Sequence, residues 1–288
     1  MTATTDQLAV PSRGVPATLR RSIPRDEFFA GLYILGCANG LGAGILQSMN
    51  SGDWAGGFRN ISIIVWLACF AGVALLLRDR ADKADVVRSW DLAVGLLFVA
   101  LVAIPVSAIN WMAVSGLSLY ILLFAQGDPS RRRGALVMLA LTVPMLWSRV
   151  LFAFFAKVFL EIDAVVVAWL LGTPRAGNMV GFADGSGMVV IMPACSSLAN
   201  MSLAFLCWVT AVQWTEHQPS RKDLLWCGLA CASVMVVNVV RIALAGLSHA
   251  TFGIFHGPIG DTVGNTLMTL LVITFTALGV RRELFSRA

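Results

Sequence analysis

Apolar runs long enough to cross a bilayer alternate with short polar connections along most of the chain, a pattern that predicts membrane helices. A helix needs about 20 apolar residues to span the hydrocarbon layer. On that length, spans are expected at about 28–49, 61–77, 92–109, 112–125, 135–160, 197–214, 224–248 and 263–280. The first is rich in glycine and so able to pack closely. A tight interfacial turn is expected at Asn110 and Trp111, and a kink at Pro144. Residues 161–171 are apolar but too few to cross, so an interfacial or re-entrant helix is expected there. Residues 179–182 and 188–191 read as short strands around Ala183-Asp184-Gly185-Ser186-Gly187, a hairpin-turn signal. The expected fold class is an all-α polytopic membrane protein, with about eight transmembrane helices and a short extracytoplasmic β-hairpin before the sixth.

Composition agrees with the pattern. Hydrophobic residues make up 58% of the chain and charged residues 13%, against about 25% charged in a soluble domain. The net charge of +5 is explained by where the basic residues fall. With the N-terminus inside, 16 of the 21 lysines and arginines lie in cytoplasmic segments, whereas only Arg59 and Arg175 lie outside. That positive-inside bias puts both termini in the cytoplasm and the 161–196 segment on the outer face of an inner membrane. Residues 1–27, with three prolines and four arginines, are expected to be a disordered cytoplasmic tail. Residues 28–280 should form one integral membrane domain, and 281–288 a second cytoplasmic tail. No cleavable signal peptide is expected, because the first apolar run follows a polar tail and exceeds signal length. No basic stripe interleaved with aromatics points to nucleic acid. The six cysteines form no CxxC pair, so neither a disulfide framework nor a zinc site is expected, and no cofactor is called for.

Three residues then stand out at the predicted outer face. Cys195 opens the sixth span, where the helix dipole and the free backbone N–H groups favour a thiolate. Arg241 lies about two turns from the outer end of the seventh span, and a charge within a span is a functional candidate by default. His256 lies in the loop before the eighth. A Cys/His pair is the minimum for thiol catalysis, the imidazole taking the thiol proton and later protonating the leaving amine. A fixed arginine can lower the thiol pKa or stabilise a tetrahedral oxyanion. His249 is a rival base, and His217 falls on the cytoplasmic side. Asp261 and Asp184 are the acids considered for orienting His256. Arg149 and Lys157 either contact a polar substrate group or pair with Glu161, Asp163 or backbone carbonyls. The rival class is a non-enzymatic transporter or a scaffold for envelope polysaccharide export. A transporter should show mid-membrane polar residues along a pathway or repeated broken helices; Arg149 and Lys157 are the only such hints, and no repeat is seen. A zinc protease is disfavoured by the absence of HExxH.

The stretch GNMVGFADGSGMVVIMPACSSLANMSLAFL, followed by NVVRIALAGLSHATFGIFHG, resembles the exosortase/archaeosortase family of membrane cysteine transpeptidases. An A-C-S-x-L box at 194–198, an N-x-x-R-I box at 238–242 and a histidine before the last span carry the likeness, over roughly residue 144 to the C-terminus. The resemblance implies that Cys195 is the nucleophile, Arg241 its charged partner and His256 the base, so that the catalytic half covers about 144–280. It also implies that the substrates are exported proteins with a C-terminal sorting signal of a motif, a transmembrane helix and a basic tail. Cleavage would pass through a thioacyl-enzyme, with transfer to an amine or lipid acceptor possible. Three positions depart from the family pattern. Ser197 stands where a glycine often follows the Cys-Ser pair, Ala199 and Asn200 stand near a frequent arginine, and Gly257 stands where an acid often follows the histidine.

Overall fold

The computed structural model describes residues 23–50, 61–78, 85–124, 128–192, 196–218 and 220–281. Among them are ten α-helices: α1 (Arg25–Asn50), α2 (Ile63–Leu76), α3 (Ser89–Val102), α4 (Ser107–Phe124), α5 (Pro129–Thr142), α6 (Ser148–Leu171), α7 (Ser197–Thr215), α8 (Arg221–Ala245), α9 (His249–Phe255) and α10 (Pro258–Gly279). Polar side chains set several of their starts. Ser62 Oγ accepts the Ile64 N–H ahead of α2, and Asp128 Oδ1 accepts the Ser130 N–H ahead of α5, where Pro129 fills the first position. Ser220 and Asp223 form a reciprocal capping box at α8. Four helices are long and apolar enough to cross a membrane: 25–46 within α1, and the whole of α4, α8 and α10. Helices α2 and α3 are apolar but shorter. The protein is therefore an α-helical, multi-pass membrane protein.

The expected kink at Pro144 takes the form of a π-helical turn, Val143–Trp147, joining α5 to α6. Proline lacks the N–H of a regular ladder, and a widened turn absorbs the mismatch. Two expectations are corrected. Residues 161–171 are not a separate interfacial piece but the last part of α6, which is kinked at Phe155 (φ −122°, ψ 18°) and runs from there through them to a left-handed Gly172 (φ 66°). Ser148–Leu171 contains no glycine or proline, and Asp163 is buried there with hydrogen-bonding partners. The turn expected at Asn110 and Trp111 falls earlier, between α3 and α4 around Pro105. Asn110 lies within α4, buried, where its amide donates to the Gly36 carbonyl (3.0 Å) and its oxygen accepts from Asn39 (3.2 Å). A satisfied buried amide costs little, so it did not mark an interface.

The expected hairpin forms, with one strand added. β1 (Arg175–Ala176), β2 (Met179–Gly181) and β3 (Met188–Val190) make an antiparallel sheet in sequential order, with Val180 opposite Val189. Gly185 takes a positive φ of 73° in the turn. The Ala183 N–H donates to the Gly246 carbonyl at the end of α8 (3.0 Å), which fixes the sheet to that helix.

Two apolar clusters hold the bundle. The larger joins α1–α5 with α7 and the inner parts of α8 and α10. The smaller packs Leu160, Ala164 and Val167 of α6, Val180 and Val189 of the sheet and Phe182 and Ile191 beside it against Val239 and Ile242 of α8. Ion pairs mark the opposite end: Arg25 with Asp91 and Asp85, Arg131 with Asp85 and Asp26, and Arg78 and Arg133 both with Glu216.

Candidate functional site

The site lies where the start of α7 meets α6, α8 and the α9–α10 corner. Ser196 caps α7 from an extended conformation, and its hydroxyl accepts the Leu198 N–H (3.3 Å). Ser197, the first helical residue, is bound to α6: its N–H donates to Asp163 Oδ2 (3.2 Å) and its hydroxyl to Asp163 Oδ1 (3.0 Å). Asn238 of α8, fully buried, donates from Nδ2 to Ser197 Oγ (3.1 Å). The Asn238 oxygen accepts from Arg241 Nη2 (3.4 Å), one turn further along α8. Arg241 Nη1 donates to Asp261 Oδ1 (2.8 Å) in the first turn of α10. A hydrogen-bonded line thus runs Asp163–Ser197–Asn238–Arg241–Asp261 through four helices. Gly264 lets α10 approach, since a Cβ there would lie 3.1 Å from Arg241 Cδ. Arg241 is 12% exposed, and its Nε is buried with no hydrogen-bond partner among the described residues.

His256 ends α9, its N–H donating to the Phe252 carbonyl (2.9 Å). Its ring stacks on Phe252, with centroids 4.6 Å apart and planes 14° apart. Burial, and next the positive charge of Arg241, push its pKa below 6.5, against the opposing pull of Asp261. The imidazole is therefore neutral at neutral pH, the state a proton acceptor needs. The other histidines stand elsewhere. His249 is exposed, its ring centroid 4.5 Å from that of Phe182. His217 pairs with Asp223 (2.9 Å) at the ion-paired end. Of the two acids considered for His256, Asp261 acts on it, while Asp184 accepts from Ser186 in the hairpin turn (2.9 Å).

Cys195 lies outside the described residues; its covalent neighbour Ser196 is the cap of α7. The structure brings Arg241 and His256 to the corner where α7 starts. It does not bring in Arg149 or Lys157. Lys157 pairs with Glu161 at 4.0 Å on the outside of α6. Arg149 lines a cavity of about 670 Å³ with Gly40, Pro105, Ser107, Pro144 and Ala199. Among the described residues, no three His, Cys, Asp or Glu side chains cluster as metal ligands. The sequence reading missed Asp163 and Asn238 as members of the site. Asn238 could have been found, since a polar residue one turn from an intramembrane arginine shares its helix face. Asp163 gave no such signal, because its partner lies 34 residues away.

Chemically, the corner offers a neutral imidazole, a partly satisfied guanidinium and an adjacent helix N-terminus, together able to accept a proton and stabilise an oxyanion. No curated protein and no solved structure matches the chain. The sequence model of the transmembrane exosortase family matches residues 54–276. That match reaches well ahead of the 144–280 half that carries the motifs, taking in α2–α5 as well. The chain belongs to the transmembrane exosortase family.

Proposed function

We propose that the protein is a cysteine peptidase or transpeptidase of the inner membrane that cleaves the C-terminal sorting signal of exported proteins. The observation that carries this reading is the convergence of Arg241 and the neutral His256 on the corner where α7 begins, with residue 195 one peptide bond from its capping serine. In this mechanism His256 takes the Cys195 thiol proton and the thiolate attacks the scissile carbonyl. Arg241 stabilises the oxyanion. The C–N bond then breaks, the amine leaves with the proton held by His256, and a thioester to Cys195 remains. Water or an acceptor amine attacks the thioester, giving its proton to His256 and so to the returning thiolate. The orientation that suits this chemistry has eight crossings, both termini in the cytoplasm and the corner facing outward, as the charge distribution favours. In that arrangement α2, α3, α7 and the joined α5–α6 complete the crossings.

The test pairs processing with labelling. An exported reporter with a motif–helix–basic tail is followed in cells carrying wild type, Cys195→Ala or Cys195→Ser, while intact spheroplasts are treated with a membrane-impermeant thiol reagent. Both variants should accumulate and lose processing, and wild-type labelling should require Cys195. Undiminished processing by Cys195→Ala would overturn the nucleophile assignment, and labelling only from the cytoplasmic side would overturn the orientation.

A further inference from the structure

We propose that Asp163 and Asn238 are positioning residues that lock the turn following the nucleophile to the guanidinium of Arg241. The inference rests on the thiol-enzyme reading above and assigns a role that reading does not need. Asp163 is an acid in an apolar helix, 3% exposed. Burying a carboxylate is costly unless it is hydrogen-bonded. Among the described residues its hydrogen-bond donors are both on Ser197, the backbone N–H and the hydroxyl, and no ion pair neutralises it. What this buried acid does, then, is hold one residue, the first of α7 and the second after Cys195.

The direction of every bond in the line is set by the one before it. A carboxylate only accepts, so the Ser197 hydroxyl hydrogen points to Asp163 and its oxygen faces Asn238. That oxygen accepts from the Asn238 NH₂, and this turns the amide oxygen towards Arg241. The reversed amide would set an NH₂ against a guanidinium and an oxygen against the Ser197 oxygen. The carboxylate on α6 therefore dictates the orientation of a side chain on α8 that cradles Arg241, through a hydroxyl on α7. The Asp163–Ser197 pair also takes the first N–H of α7, one of the four that a helix start leaves without an internal partner, and so fixes the rotation of the turn. Displacing a reacting group by about 1 Å can cost about 100-fold in rate, so a tie of this kind has catalytic consequence without touching substrate.

The test uses full-length protein in membranes, with variants Asp163→Asn, Asn238→Ala, Ser197→Ala and the double variant Asp163→Asn/Asn238→Ala. Cys195→Ala serves as the control for the underlying reading. Processing is resolved into kcat and KM, and the alkylation rate of Cys195 is followed against pH. Each single variant should lower kcat about 10- to 100-fold, with KM within about twofold of wild type, and should shift the pH midpoint of alkylation. The double variant should be no worse than its worse parent, because both act through Ser197. Multiplying losses in the double variant would overturn the inference. So would folded variants with wild-type kcat and alkylation profile while Cys195→Ala is dead. Retained processing in Cys195→Ala would instead sink the thiol-enzyme reading. Should Asp163→Asn fail to accumulate, Ser197→Ala removes only a hydroxyl, and a wild-type profile there overturns the proposal.

Discussion

At the ion-paired end of the bundle both buried arginines are enclosed by carboxylates, whereas at the α7–α9 corner Arg241 is left partly unsatisfied. Arg25 makes a two-pronged contact with Asp91 (2.7 and 2.8 Å) and a third bond to Asp85 (3.1 Å). Asp91 is filled further by the Tyr120 hydroxyl and the Arg88 N–H, both at 2.8 Å. Arg131 joins Asp85 (3.0 Å) and Asp26. These bonds connect α1, α3, α4 and α5 with the segment before α3, and they leave the carboxylates of Asp91 no capacity for anything else. Among the described residues Arg241 has one charged partner, Asp261, which is itself 51% exposed, and a neutral amide. The first arrangement is built to stay closed. The second keeps a cation beside an imidazole, with the donor capacity that the proposed mechanism assigns to an oxyanion. Buried charge thus anchors the fold at one end, and under the proposed mechanism it serves the chemistry at the other.

The contrast is sharpest in stability. Breaking a buried ion pair by removing one partner typically costs about 3–5 kcal/mol, because the remaining charge is stranded. Arg25→Gln or Asp91→Asn should lower unfolding stability by that amount in detergent, read from thermal or protease-resistance midpoints, and reduce accumulation. Arg241→Gln, whose partner can turn to solvent, should cost less than about 1 kcal/mol yet abolish processing. If Arg241→Gln destabilised the protein as much as Arg25→Gln, the distinction between anchor and site would fail.

Much of this arrangement was legible in the sequence, for physical reasons that differ by element. Hydropathy marked the helices because a span must be apolar along its length, and α1, α2, α7, α8 and α10 fall close to where the pattern put them. Hydropathy misled where a polar residue was buried and satisfied, as at Asn110 inside α4, and the boundary expected after residue 160 on length alone fell inside α6. Arg241 and His256 stood out because charge and imidazole are rare in such a chain. Asp163, Ser197 and Asn238 did not show as a group, since their link joins three helices. Ser197 is instructive, because in the family pattern it is a departure from a glycine, and it is the residue through which Asp163 reaches Asn238.

A second test concerns the electrostatics of the corner. The chain has three histidines, so a His217→Gln/His249→Gln background isolates His256. Its reaction with an acylating imidazole reagent, which needs the neutral ring, can then be followed against pH. Because burial and Arg241 lower its pKa, half-maximal reaction should fall below pH 6.5. Arg241→Gln removes a charge that lowers the pKa and leaves Asp261, which raises it, so the midpoint should move up. An unchanged midpoint would show that the guanidinium does not act on the ring, and the corner would lose the feature that sets it apart from the ion-paired end.

The smallest effect is expected on the outside of α6. Lys157 is 87% exposed and meets Glu161 at 4.0 Å across one helical turn. A pair of this kind contributes about 0.3–0.5 kcal/mol. Lys157→Gln should therefore leave the unfolding midpoint and the processing rate within error of wild type, although this lysine is as conspicuous in the sequence as Arg241. What separates the two is connection. Arg241 is joined through Asn238 and Ser197 to a buried acid on another helix, whereas among the described residues Lys157 is joined only to its own helix. A large loss of processing in Lys157→Gln with unaltered stability would mean that the outer face of α6 contacts substrate, and the site would have to be extended from the α7–α9 corner across that helix.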